Sequence, residues 1–359
     1  MLIVIFLTFS LSILFTSVII LTNKFHSSLT SDNELNAIQK YHKIPVPRIG
    51  GLPIFMSFIV SSFFCFSYST VCSYYLMGLT LCGLIIFIGG FIDDITKNTP
   101  PFLRMLFAAV ATLVAIYSTN SFPVIQYAGV NWLNYLIKAI PAIGVLLSLF
   151  CVVGLTNAYN IIDGYHGLSS TAAIFNLIGL SALSIITNDQ FVLNAALSLA
   201  GAICGFLLFN YPKGKIFLGD GGAYIIGFLI AALSIYLTQN HSDILSPYSV
   251  LFLSCYPVTE LGLSIYRRKF LKRKAGMKPD RMHLHQLIYH RCLSIAKVRR
   301  NCSVMPTMLF FMLPQTILAI VFYNNTSMCL LLNILYIILY TITYFRIVRF
   351  KTFKFLNMF

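Results

Sequence analysis

Asn157-Ala158-Tyr159-Asn160-Ile161-Ile162-Asp163-Gly164-Tyr165-His166-Gly167-Leu168 sits between two apolar runs, about 136–155 and 167–187, each long enough to cross a bilayer. Two carboxamides, a carboxylate and an imidazole are thereby delivered to a membrane surface within ten residues. Asn157, Asn160 and Asp163 recur every three residues, which on a helix end aligns them along one stripe. Gly164 and Gly167 allow the backbone to bend around them. A plain polar turn between spans is the alternative reading, and the rest of the chain decides between the two.

Outward from this stretch the composition fixes the class. Hydrophobic residues make up 58% of the 359 and charged residues only 10%, against about 25% charged in a soluble globular chain. The chain reads as an all-α polytopic membrane protein, a single integral domain over 1–359. Apolar runs give about eleven helices, at roughly 2–22, 50–68, 72–90, 102–118, 136–155, 167–187, 190–209, 222–238, 247–266, 303–322 and 328–346. The first run has no basic residue before it and Lys24 after it, which reads as a retained span with its amino terminus outside rather than a cleaved signal. The nine cysteines are scattered, with no CxxC pair, and form neither a disulfide framework nor a zinc site.

With the amino terminus periplasmic, the inner loops fall at about 23–49, 91–101, 156–166, 210–221 and 267–302, followed by a cytoplasmic carboxyl terminus. That arrangement puts every Lys and Arg except Lys138 on the inner side, as the positive-inside rule requires. The net charge of +15 is then topology and contact with anionic headgroups, and gives little support to nucleic-acid binding.

The acidic residues carry the functional signal. Asp93, Asp94, Asp163, Asp220 and Asp280 are all placed at the inner face, with Glu260 near the inner end of the ninth run. Ionisable groups at a membrane are costly, so their gathering at one level marks a site. Adjacent Asp93 and Asp94 repel unless a cation lies beside them. Mg²⁺ suits such a pair, bound by one or two carboxylates and substrate phosphate oxygens; an exposed acidic turn balanced by Lys97 is the simpler reading. In Phe217-Leu218-Gly219-Asp220-Gly221-Gly222 the glycines permit close approach of a ligand, and Asp220 opens a helix whose free N–H groups suit phosphate. Asn210, Lys213 and Lys215 lie beside it. The loop 267–302 adds Arg281, His283 and His285, fit for phosphate but short of the N/S ligands zinc requires. Lys43 and Arg48 sit in a rigid basic turn, His42 to Gly51, which also reads as a membrane anchor.

These loops together, from about Lys43 to His290 and in order, resemble the polyprenyl-phosphate N-acetylhexosamine-1-phosphate transferase family. The resemblance implies transfer of sugar 1-phosphate, GlcNAc by default, from a UDP-N-acetylhexosamine to undecaprenyl phosphate, with release of UMP. It implies Mg²⁺, with Mn²⁺ as a substitute, and a cytoplasmic-face active site in a bacterial inner membrane starting O-antigen, capsule or a related glycan. A homodimer is implied as well. By the same resemblance Asp93, Asp94 and Asp220 are catalytic, with Asp93 the base at the acceptor phosphate and Asp94 and Asp220 on the metal. Lys43, Asn157, Asn160, Asp163, His166, Asn210, Arg281, His283 and His285 are substrate-binding, Asp163 at the uracil and the histidines at the diphosphate. The family often has Asp-Gly-x-Asp-Gly where this chain has Asp163-Gly164-Tyr165-His166-Gly167, so contacts at 166 differ. Leu284 splits histidines that are consecutive in the peptidoglycan translocase, which argues for a donor without a peptide. Glu260 stands where an aspartate is usual, and a salt bridge to Arg267 or Arg268 is its plain role. The competing readings are a secondary transporter of an anionic solute, which calls for charges at midplane on repeat-related broken helices, and an inactive family member acting as a scaffold.

Overall fold

The computed structural model describes residues 2–32, 46–65, 70–118, 124–271, 282–293 and 301–349. The chain is an all-α bundle: α1 (Leu2–Thr30), α2 (Gly51–Cys65), α3 (Thr70–Thr96), α4 (Pro101–Ser118), α5 (Asn131–Ala139), α6 (Pro141–Ile162), α7 (Leu168–Ile186), α8 (Gln190–Asn210), α9 (Gly219–Asn240), α10 (Pro247–Leu253) and α11 (Cys255–Tyr266), then the final pair Val304–Val321 and Thr326–Val348. Each of the eleven expected apolar runs contains a helix. Among the described residues eight helices are long and apolar enough to span a membrane, and α10 with α11 makes a ninth if the bent pair is one span. Helices α2 and α4 are apolar but shorter.

Helix α3 runs on to Thr96 and α6 to Ile162, past the expected ends at 90 and 155, so Asp93, Asp94, Asn157 and Asn160 lie on helix ends and not in the expected loops. Three further differences have a local reason. Helix α1 runs on past residue 22 to Thr30, where His26 bridges Thr22 and Thr30 on its own face. The run expected at 136–155 is divided at Pro141, which cannot extend a helix from behind but starts one well. The piece before it, α5, is amphipathic, with Trp132 and Tyr135 exposed, as suits a helix lying at an interface. The run at 247–266 bends by 76° at Ser254. Gln315 donates to the carbonyl of Leu253 and Asn176 donates to the Ser254 hydroxyl at 2.6 Å, so polar groups freed by the break are partnered inside the bundle, as an apolar surrounding demands.

Helix α9 is the hub. It is buried along nearly its whole length and packs on α2, α3, α6, α7 and α8. Small residues let the backbones meet: a Cβ on Gly90 of α3 would lie 2.5 Å from the Cα of Gly221, and one on Gly227 of α9 would lie 2.7 Å from the Cα of Thr156 on α6. Gly201 and Gly205 give α8 the same kind of seam against Thr8, Phe9 and Ser12 of α1, a small-residue spacing suited to close helix crossing in lipid. The amino-terminal end of α9 therefore sits among the ends of α2, α3 and α6, and the acidic residues are on those ends.

Candidate active site

The turn between α3 and α4 is built to hold one carboxylate. Lys97 takes a left-handed conformation (φ 55°) and its N–H closes α3 on the Asp93 carbonyl at 2.8 Å. Pro101 then starts α4. The reversal brings the Thr99 N–H to Asp93 Oδ1 at 3.0 Å and Arg104 Nη2 to Asp93 Oδ2 at 2.9 Å. Lys97, expected to balance the acidic pair, instead donates from Nζ to the Ser31 carbonyl at 2.8 Å. The cation at Asp93 is Arg104, which also reaches the Tyr224 hydroxyl.

Asp94 does something the sequence reading did not foresee. Its Oδ1 accepts the Asp220 N–H at 2.7 Å and its Oδ2 the Gly221 N–H at 2.9 Å. A carboxylate from α3 thus caps α9, satisfying donors that the helix cannot satisfy itself and meeting the positive end of its dipole. These two N–H groups, expected to face a ligand phosphate, are already taken. Gly219 is required here by its φ of 76° and by the Arg48 carbonyl and Asp94 carboxylate where a Cβ would be.

The segment Pro47–Gly51 is stitched alongside Phe217 and Leu218. Phe217 N–H donates to Pro47 at 2.8 Å, Gly50 to Phe217 at 2.9 Å and Gly51 to Leu218 at 2.8 Å. Arg48 is thereby placed with Nη2 at 3.6 Å from Asp220 Oδ2 and 3.8 Å from Asp94 Oδ1. Asn160, on the last turn of α6, donates to Asp220 Oδ1 at 2.6 Å. Asp163 terminates α6. Burial first, then the neighbouring Asp220 charge, pushes its carboxyl up to about 7, against the opposing pull of Arg48.

Not every member of the stripe reaches the cluster. Asn157 donates to the Val153 carbonyl of its own helix at 2.8 Å. Asn210 is a clip between loops: Oδ1 accepts the Gly167 N–H at 2.6 Å and Nδ2 donates to the Ile216 carbonyl at 2.7 Å. His166 turns to that same loop, with Nδ1 3.0 Å from the Pro212 carbonyl and its ring against Phe217 and Gly214.

The histidines complete this end of the bundle. His283 and His285 stack with ring centroids 5.4 Å apart and 4° between planes. His285 is fully buried, its Nδ1 3.3 Å from the Tyr256 hydroxyl and its Nε2 facing Gly164, next to Asp163. Burial, with the nearby His283 and Arg267, lowers its imidazole to about 3 despite Glu260, so it is neutral at working pH. His283 Nδ1 is 2.8 Å from Glu260 Oε1. Lys43 and Arg281 lie outside the described residues. Sequence reasoning missed Arg104 as a site residue and gave Arg48 and Glu260 only structural parts. Basic residues near a membrane look alike until the fold shows which ones face inward.

A divalent cation can be weighed against these groups. Among the described residues, the cations within salt-bridge range of Asp93, Asp94 and Asp220 are Arg48 and Arg104. With Asp163, four carboxyl groups share two guanidiniums, an excess of acid that a cation would relieve. No three-ligand cluster of His, Cys, Asp or Glu occurs among the described residues. The donor set therefore fits a hard ion held by one or two carboxylates and a ligand's phosphate oxygens, and not an all-protein cage.

Residues 76–238 match the family described as glycosyl transferase family 4. The chain is 30% identical over 294 residues, 72% of its own length and 68% of the relative's, to a decaprenyl-phosphate N-acetylglucosaminephosphotransferase of Mycobacterium tuberculosis. The corresponding Mycobacterium leprae protein is 30% identical over 290 residues, 72% of this chain and 69% of that one. An undecaprenyl-phosphate alpha-N-acetylglucosaminyl 1-phosphate transferase of Escherichia coli K12 is 24% identical over 258 residues, 70% and 67% of the two chains. The matched family region contains Asp93, Asp94, Asn160, Asp163 and Asp220, and ends before Glu260 and the histidines.

Proposed function

The chain belongs to the polyprenyl-phosphate hexosamine-1-phosphate transferase family, and from that membership we propose that it transfers N-acetylhexosamine 1-phosphate, with GlcNAc the first choice, from a UDP-sugar to undecaprenyl phosphate. The reaction takes place at the cytoplasmic face of a bacterial inner membrane and begins a lipid-linked envelope glycan. An oxygen of the lipid phosphate attacks the sugar-bearing phosphorus of the donor. A new P–O–P bond forms, the bond to the uridylyl phosphate breaks, and UMP leaves with the electron pair.

The observation that carries this reading is the meeting of Asp93, Asp94, Asp163 and Asp220 with Arg48 and Arg104 at one end of the bundle. Phosphoryl transfer between two anions depends mainly on positioning and charge neutralisation. Arg48 lies beside Asp220 and offers a guanidinium to an incoming phosphate. Arg104 and the Thr99 N–H fix Asp93 at the α3 end. Asp94, occupied by α9, sets the distance between the two acidic ends. Asp220, with Asp163 beside it, is half-buried and would hold a cation there; Asp94 retains lone pairs for the same ion. Mg²⁺ bound there would draw charge from the bridging phosphate oxygens. The neutral His285 would donate or accept a hydrogen bond at the donor without adding charge.

The test is to reconstitute the purified protein in vesicles with undecaprenyl phosphate, supply UDP-GlcNAc, UDP-GalNAc and further UDP-amino sugars singly, and weigh the lipid. A gain of one N-acetylhexosamine phosphate with stoichiometric UMP supports the proposal and names the sugar. No gain with any donor would overturn it.

A further inference from the structure

Glu260 has no part in the transfer step above, yet among the described residues it is a heavily engaged carboxylate. It is fully buried on α11. Its Oε1 receives His283 Nδ1 at 2.8 Å and lies 3.7 Å from Arg267 Nη1. Its Oε2 accepts the Leu284 N–H at 3.1 Å and the Tyr340 hydroxyl. One carboxylate therefore fixes a ring nitrogen and the backbone of the next residue together. The bracing comes from far along the chain. Tyr340 belongs to Thr326–Val348, and Arg267 lies 5.3 Å from the ring centroid of Tyr344 on that helix. Arg291 donates to the carbonyls of Ile347 and Val348 at the helix end.

The two stacked imidazoles are thus in unlike settings. His285 has a phenol, Tyr256, at Nδ1. His283 has a carboxylate there, with Arg267 Nη2 at 3.4 Å. A carboxylate at Nδ1 keeps a proton on that nitrogen and turns the ring, as the outer partners of metal-bound histidines do. The titratable groups around His283 are Glu260 and Tyr256 on α11, Arg267 just beyond it, His285 on the following turn, and Tyr340 and Tyr344 on the last helix.

We propose that Glu260 is a positioning residue acting through His283: it holds the proton on Nδ1 and presents Nε2 to the diphosphate of the donor. The inference rests on the transferase reading of the site. It also gives the last helix a part in the reaction, since Tyr340 helps to hold the carboxylate that holds the ring.

Two measurements test it. The first is ¹⁵N NMR of the purified protein, labelled at its histidines, in detergent without substrate. The His283 signals, assigned by their loss in His283→Gln, should show the proton on Nδ1, in the bond to Glu260. Glu260→Gln cannot accept from His283, Leu284 and Tyr340 together, and should lose that fixed Nδ1 proton. The second is a kinetic cycle. Glu260→Gln should lower kcat about 10- to 100-fold with a smaller change in KM, and should cost little further in a His283→Gln background. Unchanged Nδ1 protonation in Glu260→Gln, or losses that multiply in the double variant, would overturn the proposal. If Glu260→Gln does not fold, Glu260→Asp, which keeps the charge but withdraws it by one methylene, is read the same way. A wild-type protein that shows the fixed Nδ1 proton but makes no lipid product with any UDP-sugar would separate failure of the transferase reading from failure of this one.

Discussion

Asp220 is the residue on which the site turns, because it is held by Asn160, faced by Arg48 and attached to the helix that Asp94 caps. Asp220→Asn should lower transfer by about 100-fold or more while membrane insertion, followed by yield and thermal unfolding in detergent, is retained. The two basic residues near Asp93 should behave oppositely. Arg104→Ala leaves a buried carboxylate unpaired and should lower transfer about 10- to 100-fold. Lys97→Ala removes only a bond to the Ser31 carbonyl and should leave kcat within about twofold. The Asp163 carboxyl gives a pH dependence whose sign can be worked out. Its value is raised from the ordinary 3.8 to about 7, so below pH 7 the free protein holds a proton there that a cation must displace. Apparent Mg²⁺ affinity should fall by up to about tenfold per pH unit below 7 and level off above it. A titration by calorimetry from pH 5.5 to 8.5 that showed no slope would contradict this. At position 166, the histidine lies against the Pro212 carbonyl, where a carboxylate would meet a carbonyl oxygen. His166→Asn should therefore retain more activity than His166→Asp.

At the scale of elements, the site depends on backbones meeting more closely than side chains would allow. Gly90 of α3 lies against Gly221 of α9, with room for no methyl group. Gly90→Ala should destabilise the fold by about 1 to 3 kcal/mol and, by pushing the α3 end away, disturb the bond from Asp94 to α9. Weaker Mg²⁺ binding together with a lowered Tm would be its signature; a lowered Tm alone would mean that the crossing does not set the carboxylates. The helices themselves were readable because apolar runs of bilayer length leave few other structures open. Asp93, Asp94, Asp163 and Asp220 were readable because acid at the ends of such runs is costly and needs a reason. Arg48 and Arg104 were hidden among residues that topology alone would place on that side. The capping of α9 by Asp94 was hidden too, since the two are 126 residues apart and no periodic pattern links them. Glu260 looked like a local salt-bridge partner. Its bonds to His283 and Tyr340, 23 and 80 residues further on, appear only when α11 is packed on the last helix.

For the whole molecule, one end of the bundle carries the carboxylate cluster and the histidines. Elsewhere Asp189 caps α8 and pairs with His241 at 2.9 Å, a bond between the α7–α8 turn and the end of α9. A hub helix whose first turn is capped by Asp94 and whose far end meets that second pair gives the family's chemistry a rigid axis to be mounted on. The acidic end of this axis is where sugar 1-phosphate is proposed to pass to a polyprenyl phosphate. The most direct measurement is transfer of label from UDP-[³H]GlcNAc to undecaprenyl phosphate in vesicles containing the wild-type protein or Asp220→Asn, each with Mg²⁺ and with excess chelator. Labelled lipid is expected for the wild type with Mg²⁺, and background in the other three. Labelling by Asp220→Asn at the wild-type rate, or by the wild type in chelator, would contradict it.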